Sequence, residues 1–237
     1  EDKVRNNLRF LAYLMGCRMF NRQSRARAFQ VGEQHYDIGN DVFEQMLDPH
    51  MNYSCGFWES AQNLAEAQIA KMEMICAKLQ LEPGMKVLDV GCGWGCLARW
   101  MAGHHGAQVT GVTVSVEQAK LARDRCADLP IDIEVRDYRE LEGQFDRIVS
   151  VGMFEHVGQR NYQTFFGKTR SLLKDQGLFL LHTIGAGRDG FATDRWIEKY
   201  IFPNGVLPPA PALARQADAF FTIEDWHSFG ADYDPTL

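Results

Sequence analysis

A chain of 237 residues with 46% hydrophobic and 24% charged side chains can bury a sizeable core, and reads as one large domain or one domain with an appendage. The formal net charge of −6 argues against nucleic acid as the main partner, and no apolar run approaches the ~20 residues that a membrane-spanning helix needs. Cys17, Cys55, Cys76, Cys92, Cys96 and Cys126 form no C-x-x-C pair and neither end looks like a secretory signal, so free thiols in a reducing cytoplasm are expected and a structural zinc site is not.

Residues 1–35 set Lys3, Arg5, Arg9, Arg18, Arg22, Arg25 and Arg27 against Glu1, Asp2 and Glu33, which leaves the remainder more acidic than the whole. Leu8, Phe10, Leu11, Leu14, Met15, Met19 and Phe20 are interspersed with these cations. The pattern predicts a basic helix that either lies on an anionic lipid surface or packs on the domain with its arginines in solvent. Gly32 to Trp58 is loop-rich and dense in aromatic and polar residues. Leu64, Met72, Ile75 and Leu79 have helical spacing and predict a helix over 63–79, broken by Glu82-Pro83-Gly84. Strands are then expected at 86–90, 107–113, 131–136, 146–151 and 177–183, with helices at 94–103, 116–127 and 160–173. Such βα alternation implies a parallel sheet with helices on both faces and ligands beyond the carboxyl ends of the strands. Residues 184–237 are rich in Gly, Pro and aromatics, with one strand expected near Phe220–Glu224. The chain begins part-way into a helix-like pattern and stops before a final antiparallel strand, so both ends read as cuts from a longer protein.

The run Val87-Leu88-Asp89-Val90-Gly91-Cys92-Gly93-Trp94-Gly95 carries the most chemistry. It reads as a short strand with one buried acid, ending in a tight loop that feeds a helix. Backbone without Cβ atoms takes up positive φ and lets a ligand approach closely. A dinucleotide fingerprint spaces its glycines G-x-G-x-x-G with an acid about 20 residues on. Here the third glycine comes one residue sooner, and Asp89 lies inside the strand. Asp-x-Gly-x-Gly-x-Gly resembles the loop that holds S-adenosylmethionine in the seven-stranded methyltransferases. That resemblance implies a Rossmann-like α/β fold, a seven-stranded methyltransferase sheet with helices on both faces and its last strand beyond the chain end.

Further segments narrow the resemblance. His35-Tyr36-Asp37-Ile38-Gly39-Asn40-Asp41, Leu47-Asp48-Pro49 and Tyr53-Ser54-Cys55 resemble the cyclopropane-fatty-acyl-phospholipid synthases. So do Val149 to Gly158 (VSVGMFEHVG), Leu181-His182-Thr183-Ile184-Gly185, Ile201-Phe202-Pro203-Asn204-Gly205 and Asp232-Tyr233-Asp234. The mycolic acid cyclopropane synthases are more distant relatives. The likeness implies transfer of a methylene unit from S-adenosylmethionine to a cis double bond in an unsaturated acyl chain of a membrane phospholipid. It also implies a cytoplasmic protein held peripherally at the inner face of the membrane, and a homodimer. Residues 1–35 then read as a linker from a missing N-terminal domain, and 36–237 as the catalytic domain, incomplete at its C-terminal end.

In that family the base is thought to be bound bicarbonate, and the five positions that hold it correspond to Cys55, Glu155, His182, Ile184 and Tyr233. Hydroxyl, imidazole and backbone N–H donors suit an anion cradle. For the cofactor, Asp89 would orient the loop, and Gly91, Gly93 and Gly95 would admit the methionine part, with Trp94 in the same loop and its ring given to packing. Thr113 and Gln118 would reach the ribose, Asp137 and Tyr138 would flank the adenine, and Tyr53 and Ser54 would close over the carboxylate. Cys96 stands where relatives usually have Gly. An isolated alkene is a poor nucleophile and its attack leaves a carbocation, so the site has to be dry and walled with rings. Tyr36, Tyr53, Phe57, Trp58, Phe154 and Tyr233 are the candidate rings. A methyltransferase acting on a heteroatom of a small molecule would share the same loop, and a binding module without catalysis would keep it too.

Overall fold

The computed structural model of the chain describes residues 40–186 and 205–236. The basic segment at 1–35, the domain boundary after it, Tyr36 and the run 201–204 lie outside the described residues. Two helices come first, α1 (Asn40–Met46) and α2 (Leu64–Lys78). The alternation follows as β1 (Lys86–Val90), α3 (Cys96–His105), β2 (Gln108–Thr113), α4 (Val116–Cys126), β3 (Ile131–Val135), β4 (Phe145–Val151), α5 (Tyr162–Leu172) and β5 (Leu173–His182). A last helix, α6 (Ala210–Ala217), and a helical turn (Tyr233–Thr236) complete the described chain.

Local chemistry sets most of these boundaries. Asn63 caps α2 by accepting from the Glu66 N–H at 3.0 Å, while Glu66 accepts back from the Gln62 N–H at 2.8 Å. Ser115 caps α4 through the Gln118 N–H. Helix α3 starts at Cys96, two residues later than its pattern predicts, because Gly93 and Gly95 both hold left-handed φ. The larger departure is β5, which begins at Leu173 rather than 177. Leu173 pairs with Phe145 and Leu178 with Arg147, so Lys174–Gly177 form an irregularity inside the strand that reads as a turn in the sequence.

All four strand pairings are parallel, in the order β3-β2-β1-β4-β5. Strand order therefore reverses between β1 and β4, and the crevice outside their carboxyl ends is where such sheets take ligands. Val87 faces Met72, Ile75, Leu97 and Met101, on the side covered by α2 and α3. Leu88 and Val90 point into the other layer, with Ile148, Phe154, Phe165 and Phe166. Burial on both faces explains why β1 reads as an unbroken apolar run around Asp89.

Five strands are present among the described residues, not the seven that the methyltransferase resemblance implies. The strand expected near Phe220–Glu224 does not form. Phe220 and Phe221 follow α6 through a turn and pack on α5, with the Phe166 and Phe221 rings 6.3 Å apart and Phe220 within 3.2 Å of where a Cβ on Gly167 would stand. That apolar run covers a helix instead of joining a sheet.

Candidate active site

A cleft opens at the carboxyl ends of β1, β2 and β4, where the topology places it. Its lining brings together Tyr53, Ser54, Asp89, Gly91, Gly93, Trp94, Thr113, Gln118, Asp137 and Tyr138, ten of the eleven residues expected to meet the cofactor. Gly95 is the exception. A Cβ there would meet Cys126 Sγ at 3.0 Å and Ala122 Cβ at 3.2 Å, so its missing side chain serves the approach of α3 to α4. Gly91 (φ +89°) would drive a Cβ to 2.7 Å from Met153 Cβ, whereas at Gly93 (φ +55°) a Cβ would have only Gln118 Nε2 nearby, at 3.9 Å. Gly93 is thus where the backbone is bare toward the cleft.

The polar groups around this loop are held in definite positions. Thr113 donates to Gln118 Oε1 at 3.0 Å and accepts from the Ser115 N–H, so the end of β2 and the start of α4 are one hydrogen-bonded unit. Asp137 is almost fully buried and paired in bidentate fashion with Arg139 Nε and a terminal guanidinium nitrogen, at 2.8 and 2.6 Å. Tyr138 packs edge-on against Phe165, and burial pushes its hydroxyl up to about 12. Trp94 donates to Asn40 Oδ1 at 2.8 Å and lies 4.8 Å from the Phe43 ring, which anchors α1 beside the loop. Asp89 has one carboxylate oxygen without a hydrogen-bond partner, and burial raises it to about 7.

Lys71 escapes a reading of the sequence, where it is one lysine in an amphipathic helix. It lines the cleft from α2, is 2% exposed, and donates to Ser54 Oγ at 2.7 Å, Asn52 Oδ1 at 3.3 Å and Gln68 Oε1 at 2.5 Å. Gln68 also donates to the Ser54 carbonyl, so α2 grips the Asn52–Ser54 stretch at two points. Cys96 donates to the same Asn52 oxygen at 3.0 Å, which gives this residue a partner that Gly would lack.

The five residues expected to hold an anion lie outside the cleft lining, with Glu155 joined to the cleft by the turn that follows β4 and His182 at the end of β5. Glu155 is buried, accepts from the Ile184 N–H at 2.7 Å on one oxygen, and has no hydrogen-bond partner on the other. Ile184 therefore orients Glu155 through its backbone. Burial raises the Glu155 carboxyl above its ordinary value and holds His182 down at about 4, so the first is biased toward the acid and the second toward neutral imidazole. His182 Nδ1 has no hydrogen-bond partner, and its ring stacks on Phe229 at 5.3 Å with an interplanar angle of 3°. Burial lifts Tyr233 too, aided by the nearby Glu155 charge, while a hydrogen bond from the Cys55 backbone lowers it. The Cys55 thiol is buried, raised by desolvation, and 4.0 Å from Thr236 Oγ1.

The segment after residue 205 closes this cluster, a role that short polar residues do not announce in sequence. Thr236 Oγ1 accepts from the Gly56 N–H at 3.1 Å and from Trp58 Nε1 at 2.9 Å, and Asp232 accepts from the Trp58 N–H at 2.8 Å. Val206 N–H donates to the Glu155 carbonyl at 2.8 Å. Phe57, His227 and Phe229 build an aromatic wall, each pair of rings within 5.7 Å. Phe154, in contrast, stacks on Tyr162 in the core. Among the described residues no helix is long and apolar enough to cross a membrane, and no three His, Cys, Asp or Glu side chains group to hold a metal.

Parallel order, switch-point cleft and glycine loop define an α/β methyltransferase fold. A solved structure of the cyclopropane synthase MmaA2 from Mycobacterium tuberculosis superposes with a TM-score of 0.82 at 32% identity, covering 88% of this chain and 80% of that one. Mycolic acid cyclopropane synthase CmaA1, complexed with SAH and CTAB, gives 0.78 at 35% identity over 83% of this chain and 76% of its own. The cyclopropane-fatty-acyl-phospholipid synthase of Escherichia coli strain K12 is 54% identical over all 237 residues, which span 62% of that protein's length. The mycolic acid cyclopropane synthetase family model matches residues 23–237, and the chain belongs to that family.

Proposed function

We propose that this chain transfers a methylene group from S-adenosylmethionine to the cis double bond of an unsaturated phospholipid acyl chain, forming a cyclopropane ring, with bicarbonate as the base. The observation that carries the reading is the placement of two clusters at one switch point. Beyond a cleft with a bare glycine backbone lies a group of half-buried aromatic rings and polar side chains in which Glu155 Oε2 and His182 Nδ1 lack partners. Buried polar atoms are rarely left unsatisfied, so two of them in one small cluster fit a group supplied from outside.

The cleft residues fit S-adenosylmethionine on their own chemistry: Gly93 leaves room against the backbone, and Gln118 Nε2 faces that space. When bound, the cofactor supplies an electrophilic one-carbon unit. Bicarbonate, held by Cys55, Glu155, His182, Ile184 and Tyr233, would supply a proton acceptor. The chain's residues do the rest. Phe57, Phe229 and Tyr233, each half-buried, would shield a carbocation from water, and their ring faces would stabilise positive charge by about 0.5–2 kcal/mol each. The neutral His182 imidazole and the Tyr233 hydroxyl donate hydrogen bonds without adding a positive charge that would oppose the cation. Glu155, with one oxygen unpartnered, would serve as acid or acceptor. The protein would work at the cytoplasmic face of the membrane, bound peripherally, as a dimer.

The test is to incubate the chain with isotopically labelled S-adenosylmethionine and vesicles of unsaturated phospholipid, with and without bicarbonate. Loss of the alkene signal and growth of cyclopropane protons, faster with bicarbonate, is the expected result. A labelled product that keeps its alkene would mean heteroatom methylation, and cofactor binding without turnover would mean a binding module.

A further inference from the structure

We propose that Lys71, together with the Ser54 hydroxyl it holds, receives the carboxylate of the cofactor's amino-acid tail, while Asp89 across the glycine loop faces the tail's ammonium. The proposal rests on the reading of the cleft as an S-adenosylmethionine site and adds to it the charge pair that recognises the zwitterion.

A buried ammonium is costly unless an anion or strong hydrogen bonds compensate it. All three Lys71 donors end on neutral oxygens, those of Asn52, Ser54 and Gln68. No carboxylate pairs with it among the described residues. The buried Asp48 charge favours the ammonium from a distance but makes no ion pair with it, and the Asp48 oxygens are already taken by the His50 and Asn52 N–H groups and the Asn52 side chain. Burial accordingly pulls the ammonium down to about 8. Holding the Asn52–Ser54 stretch does not require this charge, since Gln68 does so with an amide. The cation is therefore matched to something that arrives.

Position identifies the arrival. The cleft runs from Tyr138 after β3, past Thr113 at the end of β2, to the glycine loop after β1, and ends at Ser54 and Lys71. A Cβ on Gly152, after β4, would lie 3.8 Å from Ser54 Cβ, which fixes that end on the β4 side. An extended ligand with adenine against Tyr138 puts its amino-acid tail at Lys71. Because Ser54 Oγ accepts from Lys71, its own proton is turned outward and its donor strength is raised. Asp89, buried and with Oδ2 lacking a hydrogen-bond partner, lines the same cleft. Lys71 on α2 and Asp89 on β1 form no ion pair with each other and are two separate poles of the cleft.

The test compares S-adenosylmethionine with its decarboxylated analogue, which keeps the amine and loses only the carboxylate, by calorimetric titration of the full chain. Wild type should bind the analogue about 10- to 100-fold more weakly, the range of one lost charge-assisted contact. Lys71→Met should weaken S-adenosylmethionine by that factor, leave the analogue unchanged, and so abolish the discrimination. Lys71→Arg should keep part of it. Ser54→Ala retains the cation and should narrow the gap less, which keeps the proposal testable if the lysine variants fail to fold. Equal loss of both ligands in Lys71→Met would make the residue structural and overturn the assignment. So would a variant that keeps full discrimination but loses only the bicarbonate effect, because the Lys71 charge also reaches Cys55 and His182. Absence of any cofactor binding by wild type would instead bring down the reading of the cleft itself.

Discussion

Alanine at the three loop glycines separates three physical roles that one motif conceals. At Gly91 the substitution meets left-handed backbone, a strain of about 1–2 kcal/mol, and places its methyl 2.7 Å from Met153 Cβ, an overlap worth about 1–3 kcal/mol in a packed site. The sum is about 2–5 kcal/mol, or a Tm lowered by about 4–20 °C for a domain of this size. At Gly93 the same strain applies without a clash, so the Tm should fall by about 2–8 °C. Its methyl nevertheless stands in the cleft, and affinity for S-adenosylhomocysteine should fall more than tenfold. At Gly95 the methyl meets Ala122 and Cys126 between two helices, so stability falls while affinity, measured on the folded fraction, is kept. Differential scanning calorimetry and isothermal titration of the three variants give both axes. A Gly93→Ala protein that binds as wild type would refute the claim that the ligand lies against this backbone. A Gly91→Ala protein as stable as wild type would refute the packing argument.

Other outcomes follow from the same site. Glu155→Gln should bind cofactor normally and turn over unsaturated vesicles about 10²–10⁴ times more slowly, and unchanged turnover would remove Glu155 from the chemistry. Asp89 is raised to about 7 in the folded cofactor-free chain from an unfolded value of 3.8. The folded state therefore holds the extra proton between these values, and stability falls as pH rises across that window. Asp89→Asn should remove this slope and stabilise the cofactor-free protein at pH 8 by up to about 4 kcal/mol, read from denaturant midpoints. His182 has the opposite sense. Its folded value near 4 lies below 6.5, so its contribution is intact above pH 6.5 and is lost as pH falls through 4. His182→Asn should flatten that acid limb. Thr236→Val removes an acceptor shared by the Gly56 amide and the Trp58 indole and should raise hydrogen exchange at both N–H groups while leaving the glycine loop protected.

The fold was legible where one face of each element is buried with a clean period. β1 declares itself because four of its five residues are covered on both sides, and α2 and α4 because their caps are local side-chain bonds. Reading failed where tertiary packing overrides pattern. Lys174-Asp175-Gln176-Gly177 has turn composition, yet it is carried within β5 because β4 supplies a pairing edge on both sides of it. Phe220 and Phe221 have strand-like character, but the surface available to them is the aromatic face of α5.

The site divides along the same line. The glycine loop was readable because positive φ demands a particular residue type at fixed spacing, and that demand is local. Lys71 and Thr236 were not, because nothing about a lysine in a helix or a threonine near a chain end distinguishes them. Their meaning lies in what surrounds them: the lysine is buried against neutral acceptors, and the threonine reaches two donors more than 170 residues away. Charge makes the difference chemically important. His182 and Tyr233 are held in their neutral forms by burial, and burial biases Glu155 the same way, so the pocket carries little charge of its own. In the proposed reaction a developing carbocation would be met by ring faces and by the bound anion. Among the described residues, the charges of the cleft that have no ion-pair partner are Lys71 and Asp89, and in the proposed reading they would act on the part of the ligand that does not react. Binding energy drawn from that tail can orient the reacting centre, and that orientation is worth more to a weak nucleophile than any single group placed beside it.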